Sequence, residues 1–298
     1  MGQKAITLDE QIALLSKRGM VISDVDKAKE VLYDAGYYRL GFYWFPFEKS
    51  YPLKHNRTHE FIPNTQFNSV VKLYYFDFYL RCILFKALSR IEVAFRTKVT
   101  YIVSNEYTEI PSWFADSRVV TNNQVKYYQE GGYKAIKDKN RIIGLHHSNH
   151  PKDKYAPAWK AIEYMTLGEI LHLFKSIKDN KLKERVASEF GIKTLVTLES
   201  YLEVIKNLRN VSAHSNVLYD FTPEKSIRKG PAMMKGIGDN QNLNGAIRVV
   251  LYMLGQISNK RSLELLNEIE DLIAKYGVDQ NVYKILLNIS GFKDLHRY

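Results

Sequence analysis

Phe67-Asn68-Ser69-Val70-Val71-Lys72-Leu73-Tyr74-Tyr75-Phe76-Asp77-Phe78-Tyr79-Leu80-Arg81-Cys82-Ile83-Leu84-Phe85-Lys86-Ala87-Leu88-Ser89-Arg90-Ile91-Glu92 lies within a run, Asn64 to Ile110, that contains neither glycine nor proline. Apolar residues recur along it at Phe67, Val70/Val71, Tyr74, Phe78, Cys82, Phe85, Leu88 and Ile91, spacings of three and four that share one face of an α-helix. An unbroken run with this period predicts one long helix or two nearly collinear ones, apolar enough to sit at the centre of the fold. Arg90, Glu92 and Arg96 punctuate it. Such charges commonly pair on a helix surface, but Glu92 facing inward would suit a buried arginine.

The flanking segments carry the same period. Thr7-Leu8-Asp9-Glu10 has the form of a capping box, and Leu8, Ile12 and Leu15 share a helical face until Gly19. Ser23 and Asp24 precede a second helix that runs to about Gly36. The aromatic run Tyr37 to Phe47 then holds Gly41 and Pro46, which predicts a turn packing aromatic rings on the main body, with base stacking as the sharper alternative. Residues 105–157 read as polar and loop-rich. Beyond Pro157, helices are expected over Ala158 to Ser176, Leu182 to Phe190, Lys193 to about Leu218, Ala246 to Tyr276 and Val282 to Ile289, with a mobile polar loop from Pro223 to Asn244. No fixed-period repeat and no sustained alternation appears, so the expected class is all-α.

Composition narrows the function. The 298 residues, 45% of them hydrophobic, suffice for a buried core. The lone Cys82 excludes an internal disulfide framework or zinc ribbon and reads as a small core residue in a reducing cytosol. Met1-Gly2-Gln3-Lys4 leads into a polar capped helix rather than an apolar signal core, and no segment reaches about 18 uncharged apolar residues. The expectation is a soluble, cytoplasmic protein without membrane contact. A net charge of +11, with 21 Tyr, 14 Phe and 3 Trp among the basic residues, favours polyanions and unpaired bases. Arg39, Lys225, Arg228, Lys229 and Lys235 are the candidate RNA contacts.

Two Arg-x4-His pairs occur, Arg141/His146 and Arg209/His214, where about 0.4 would arise by chance from this composition. Gly144 lies inside the first and no amphipathic helix is expected around it. His146 and His150 are four apart, yet no carboxylate or thiol at metal-ligand spacing accompanies them, and no metal or other cofactor is expected. The second pair closes an amphipathic segment. With Ile205 at the origin and about 100° per residue, Glu199, Glu203, Lys206, Asn207, Asn210 and His214 fall in a polar arc, while Arg209 falls at about 40°, among the apolar residues. A guanidinium cannot shed its proton and needs partners wherever it is buried. Two readings cover it: an internal ion pair, for instance with Glu92, or a cleft in which Arg209 and His214 receive a phosphate.

In the second reading the chemistry is RNA cleavage by transesterification. An imidazole can take the 2′-hydroxyl proton or protonate the leaving 5′-oxygen, and arginine stabilises charge on the phosphorane-like transition state. The products would be a 2′,3′-cyclic phosphate and a 5′-hydroxyl. One helix supplies one histidine where the reaction uses an acid and a base, so a homodimer is expected.

Arg209-Asn210-Val211-Ser212-Ala213-His214 resembles the R-N-x-x-A-H form of the R-x4-6-H motif of HEPN-superfamily ribonucleases. Tyr37 to Phe47 resembles the aromatic signature of the Abi-like family, the AbiD and AbiF abortive-infection proteins, although Phe42 replaces the usual Tyr and Gly41 follows Leu40 directly. Arg90-Ile91-Glu92 with Arg96, and Pro157 to Glu163 with Thr166-Leu167-Gly168, extend the likeness from about Thr7 to Asp220. The resemblance implies a HEPN-like helical bundle with an N-terminal helical extension. It also implies a metal-independent ribonuclease site with Arg209 and His214 catalytic and Asn210 supporting; Glu92 and Arg96 are the expected structural residues around it. Its partners would be RNA, as substrate or as a small structured regulator, and a second copy. The expected division is an N-terminal segment, 1–60, packed on a core, 61–298, with polar insertions near 105–157 and 222–245. The alternative is a non-catalytic RNA-binding module acting by sequestration or scaffolding.

Overall fold

The structure, a computed structural model, describes residues 4–233 and 239–292. Its helices are α1 (Leu8–Lys17), α2 (Val25–Ala35), α3 (Tyr37–Trp44), α4 (Phe67–Glu106), α5 (Asn122–Tyr127), α6 (Tyr133–Lys139), α7 (Arg141–Asn149), α8 (Ala158–Ala161), α9 (Leu167–Ser176), α10 (Asn180–Ser188), α11 (Leu195–Ala213), α12 (Leu243–Gly255), α13 (Asn259–Gly277) and α14 (Gln280–Asn288). The architecture is all-α, and the described residues contain isolated β-bridges but no strand.

The central element is α4, whose 40 residues span about 60 Å. Helices α3 and α8 to α14 all pack along it, and the hydrophobic core joins residues on both sides of position 60, from Ile12 to Phe292. The buried face of α4 is displaced by about one residue from the expected one. Leu73, Phe76, Leu80, Leu84, Ala87, Leu88, Ile91 and Phe95 are inside, whereas Phe78 and Phe85 remain 42% and 41% exposed and Cys82 is exposed too. The inner face takes in Asp77 and Arg81, polar residues that an apolar-periodicity reading assigns to solvent, and this misplaces the phase.

Other boundaries shift for local reasons. The expected aromatic turn is a helix: Gly36, at φ 85°, separates α2 from α3. Gly41 sits inside α3 with the Trp44 ring against its open face, and Tyr43 and Trp44 are buried. Residues 105–157 are more helical than expected, and Arg141/His146 lies on α7 despite Gly144. The stretch 158–176 breaks at Thr166, where a capping box with Glu169 starts α9. The stretch 246–276 divides at Ser258, which caps α13. Thr7 and Asp24 cap α1 and α2 as expected. No helix among the described residues is long and apolar enough to cross a membrane.

Candidate active site at the end of α11

Thr194 caps the start of α11, and Leu198, Tyr201, Leu202, Ile205 and Leu208 bury one face of it. The helix ends at Ala213, short of the expected Leu218, and the His214 N–H closes the last turn on the Asn210 carbonyl at 3.0 Å. Ser215 then adopts φ 55°, a left-handed conformation uncommon for residues other than glycine, which turns the chain away.

Three side chains, from α3 and α4, hold that departing chain. Arg39 of α3 donates to the Ser215 carbonyl. Arg81 of α4 donates to the Asn216 carbonyl at 3.1 Å. Asp77 accepts the N–H groups of Leu218 and Tyr219 on Oδ1, at 3.0 and 2.6 Å. Asp77 is 0% exposed, is paired with Arg81, and accepts the Tyr43 hydroxyl at 2.8 Å. Burial pushes its carboxyl up to about 6, opposed by the Arg81 guanidinium and the surrounding donors. Backbone groups of residues 215–219 thus find tertiary partners in place of a further helical turn. Asp77, Arg81 and Tyr43 escape the sequence reading, although two charges four apart in an apolar helix are a readable signal.

Arg209 faces α4. Its Nε lies 3.5 Å from Glu92 Oε2, so the internal ion pair is present, yet its side chain keeps 30% of its surface exposed. Glu92 serves two arginines: Arg96 Nη2 donates to its Oε1 and to the Met165 carbonyl, each at 2.9 Å, and Arg96 Nη1 stands 3.7 Å from Glu163. Arg209 is therefore held from behind by a braced carboxylate while part of it meets solvent. Asn210 and His214 are exposed at the helix end. Within one copy, Arg209 and His214 are about 140° apart around the axis.

A groove of about 1050 Å³ runs along the polar face of α11, past Glu199, Glu203, Lys206 and Asn207. Lys175, Lys225, Arg228 and Lys229 also line it, with Glu224. The 223–233 segment, expected to be mobile, is tied down by Arg228 N–H to Ser200 Oγ at 3.0 Å, Ala232 N–H to the Tyr201 hydroxyl at 3.1 Å, and buried Ile227 and Met233. Lys235 lies outside the described residues. Arg39 stands apart from this groove, at Ser215.

The other pair has different surroundings. His146 is buried, with Nε2 at 3.2 Å from Asp153 and Nδ1 at 3.4 Å from Lys160, while His147 Nε2 meets the Tyr133 hydroxyl at 2.7 Å. Burial and nearby Lys160 lower the His146 pKa. Among the described residues no group of three or more His, Cys, Asp or Glu side chains gathers to hold a metal ion.

The model of the family described as Abi-like protein matches residues 30–220. The chain belongs to the Abi-like family. The matched span takes in α3, α4, α11 and the clamped segment, and ends directly after Tyr219. It therefore includes both halves of the buried clamp: Arg39 reaches the Ser215 carbonyl, and Tyr43 donates to Asp77, which holds the amides of Leu218 and Tyr219. In this Abi-like protein the loop bearing Lys225, Arg228 and Lys229, and helices α12 to α14, lie beyond the match. No curated protein and no solved structure matches the chain.

Proposed function

We propose that this Abi-like protein is a metal-independent endoribonuclease of the HEPN type that acts in phage defence as an abortive-infection toxin. His214 transfers the proton, Arg209 stabilises charge on the transition state, and Asn210 supports them. Cleavage leaves a 2′,3′-cyclic phosphate and a 5′-hydroxyl. Arg209 and His214 diverge within one copy, so a homodimer brings two α11 ends together and supplies both acid and base. A small structured RNA is the proposed restraint, and the basic groove along α11 is the proposed RNA path.

One observation carries this reading: a buried ion pair and a tyrosine are committed to holding the backbone immediately beyond an exposed histidine. The test is cleavage of RNA by purified protein in EDTA, together with growth arrest on expression. Arg209→Ala and His214→Ala, melting like wild type, lose at least about a hundredfold in rate. Cleavage by either variant at the wild-type rate refutes the site. The Arg209–Glu92 contact favours a second reading, a non-catalytic module that sequesters RNA. In that case His214→Ala leaves both binding and toxicity unchanged.

A further inference from the structure

The segment that leaves His214 forms one wall of a second cavity, of about 400 Å³. Val217, Tyr219 and Asp220 line that side, Gly41, Phe42 and Phe45 another, and Lys54 and Arg57 the third. Val217 is three residues from His214, so their Cα atoms are no more than about 11 Å apart. The cavity therefore begins within a few residues of His214 and shares no lining residue with the long groove.

Its walls differ in what they leave available. Phe42 is 45% exposed and braced edge-on by Tyr38 at 5.4 Å between ring centroids. Its backbone carbonyl accepts the Tyr219 hydroxyl at 2.8 Å, which fixes α3 against the departing chain. Arg57 is already committed: it lies 4.5 Å over the Phe45 ring and its Nε donates to buried Glu48 at 3.0 Å. Lys54 and Asp220 form an open pair at 3.5 Å, of the surface kind that is readily exchanged for other partners.

We propose that this cavity takes an unpaired nucleobase whose hydrogen-bonding edge carries N–H donors, guanine above all. The proposal rests on RNA being the substrate. A cavity of this volume is in the range of small-ligand pockets, and the exposed Phe42 ring offers a stacking face. The Asp220 carboxylate is acceptor-only and matches the adjacent N1–H and N2–H donors of guanine, where uracil would set a carbonyl against it. Lys54, released by that exchange, is placed to meet a phosphate. A base stacked within a duplex cannot enter, so the substrate is a single-stranded stretch or loop, and a neighbouring guanosine fixes the register of the cut.

The test uses full-length His214→Ala protein, which binds without cutting, and fluorescence anisotropy with a short oligouridine and the same oligomer carrying one central guanosine. The guanosine tightens binding about tenfold. Adding Asp220→Asn erases that gain, because an amide offers one acceptor and sets a donor against guanine's second while meeting a uracil carbonyl that the carboxylate repels. Adding Phe42→Ala weakens binding of both oligomers about tenfold. Equal affinity for the two RNAs, a gain that survives Asp220→Asn, or an unaltered Phe42→Ala protein overturns the cavity while RNA binding itself persists. Absence of binding to either RNA, with no cleavage by the wild-type chain, overturns the RNA reading and the cavity with it.

Discussion

Asp77→Ala removes in one step the carboxylate that neutralises Arg81 and the acceptor for the Tyr43 hydroxyl and the Leu218 and Tyr219 amides. Stranding a buried guanidinium costs about 3–5 kcal/mol. Each buried amide left without an acceptor adds about 1–3 kcal/mol unless water reaches it. Local opening of residues 215–219 relieves part of this, so the expected net loss is about 4 kcal/mol, a large share of ordinary domain stability. For a chain of this length, that lowers the melting temperature by about 6–10 °C. Urea unfolding followed by circular dichroism measures the loss, and hydrogen exchange in the peptide spanning 215–221 locates it. A double variant, Asp77→Leu with Arg81→Met, recovers at least half of the stability because no charge is left stranded. The same peptide stays unprotected, since neither amide regains an acceptor. A cost below about 1 kcal/mol for Asp77→Ala, or full protection of that peptide, refutes the clamp.

Arg39→Ala frees the Ser215 carbonyl at an exposed position, so it costs less than about 1 kcal/mol in urea unfolding yet slows RNA cleavage severalfold; an unchanged rate removes Arg39 from any positioning role. Burial raises the Asp279 carboxyl, but hydrogen bonds from Ser69 and Lys72 outweigh it and leave the pKa below the ordinary 3.8. The stability it contributes is therefore present above pH 3.8 and lost as the pH falls through the folded value. Helix α14, which Asp279 caps, should lose exchange protection in acid, and Asp279→Ala should already lack that protection at neutral pH. Gly230→Ala would place Cβ 2.6 Å from Thr197 Cγ2 and 2.7 Å from the Tyr201 hydroxyl, so it costs about 1–3 kcal/mol and raises exchange across 223–233. Wild-type melting and exchange would show that this loop does not need its close seat on α11.

The capping box at Thr7 and Glu10 and the cap at Asp24 are legible because a cap is a contact between residues two or three apart. The box at Thr166 and Glu169 is equally local, and it marks the break within 158–176 that helical periodicity alone runs through. In the site, the spacing of Arg209 and His214 and the anomalous place of Arg209 on the wheel are visible in one dimension. Their surroundings are not. Glu92 as the carboxylate behind Arg209 is a pairing across 117 positions of sequence, one of several that composition permits, and only packing of α4 on α11 selects it.

Periodicity, caps and the absence of helix breakers dictate the all-α class and the long central helix, since each acts within a turn or two of the chain. Tertiary structure decides which face of α4 is inside, and the reason is electrostatic. Asp77 and Arg81 read as surface charges until Tyr43, 34 positions before Asp77, and Tyr219, 142 after it, supply the hydrogen bonds that make burial tolerable. The same contacts end α11 at Ala213, because the backbone beyond it bonds more favourably to α3 and α4 than it would in another helical turn.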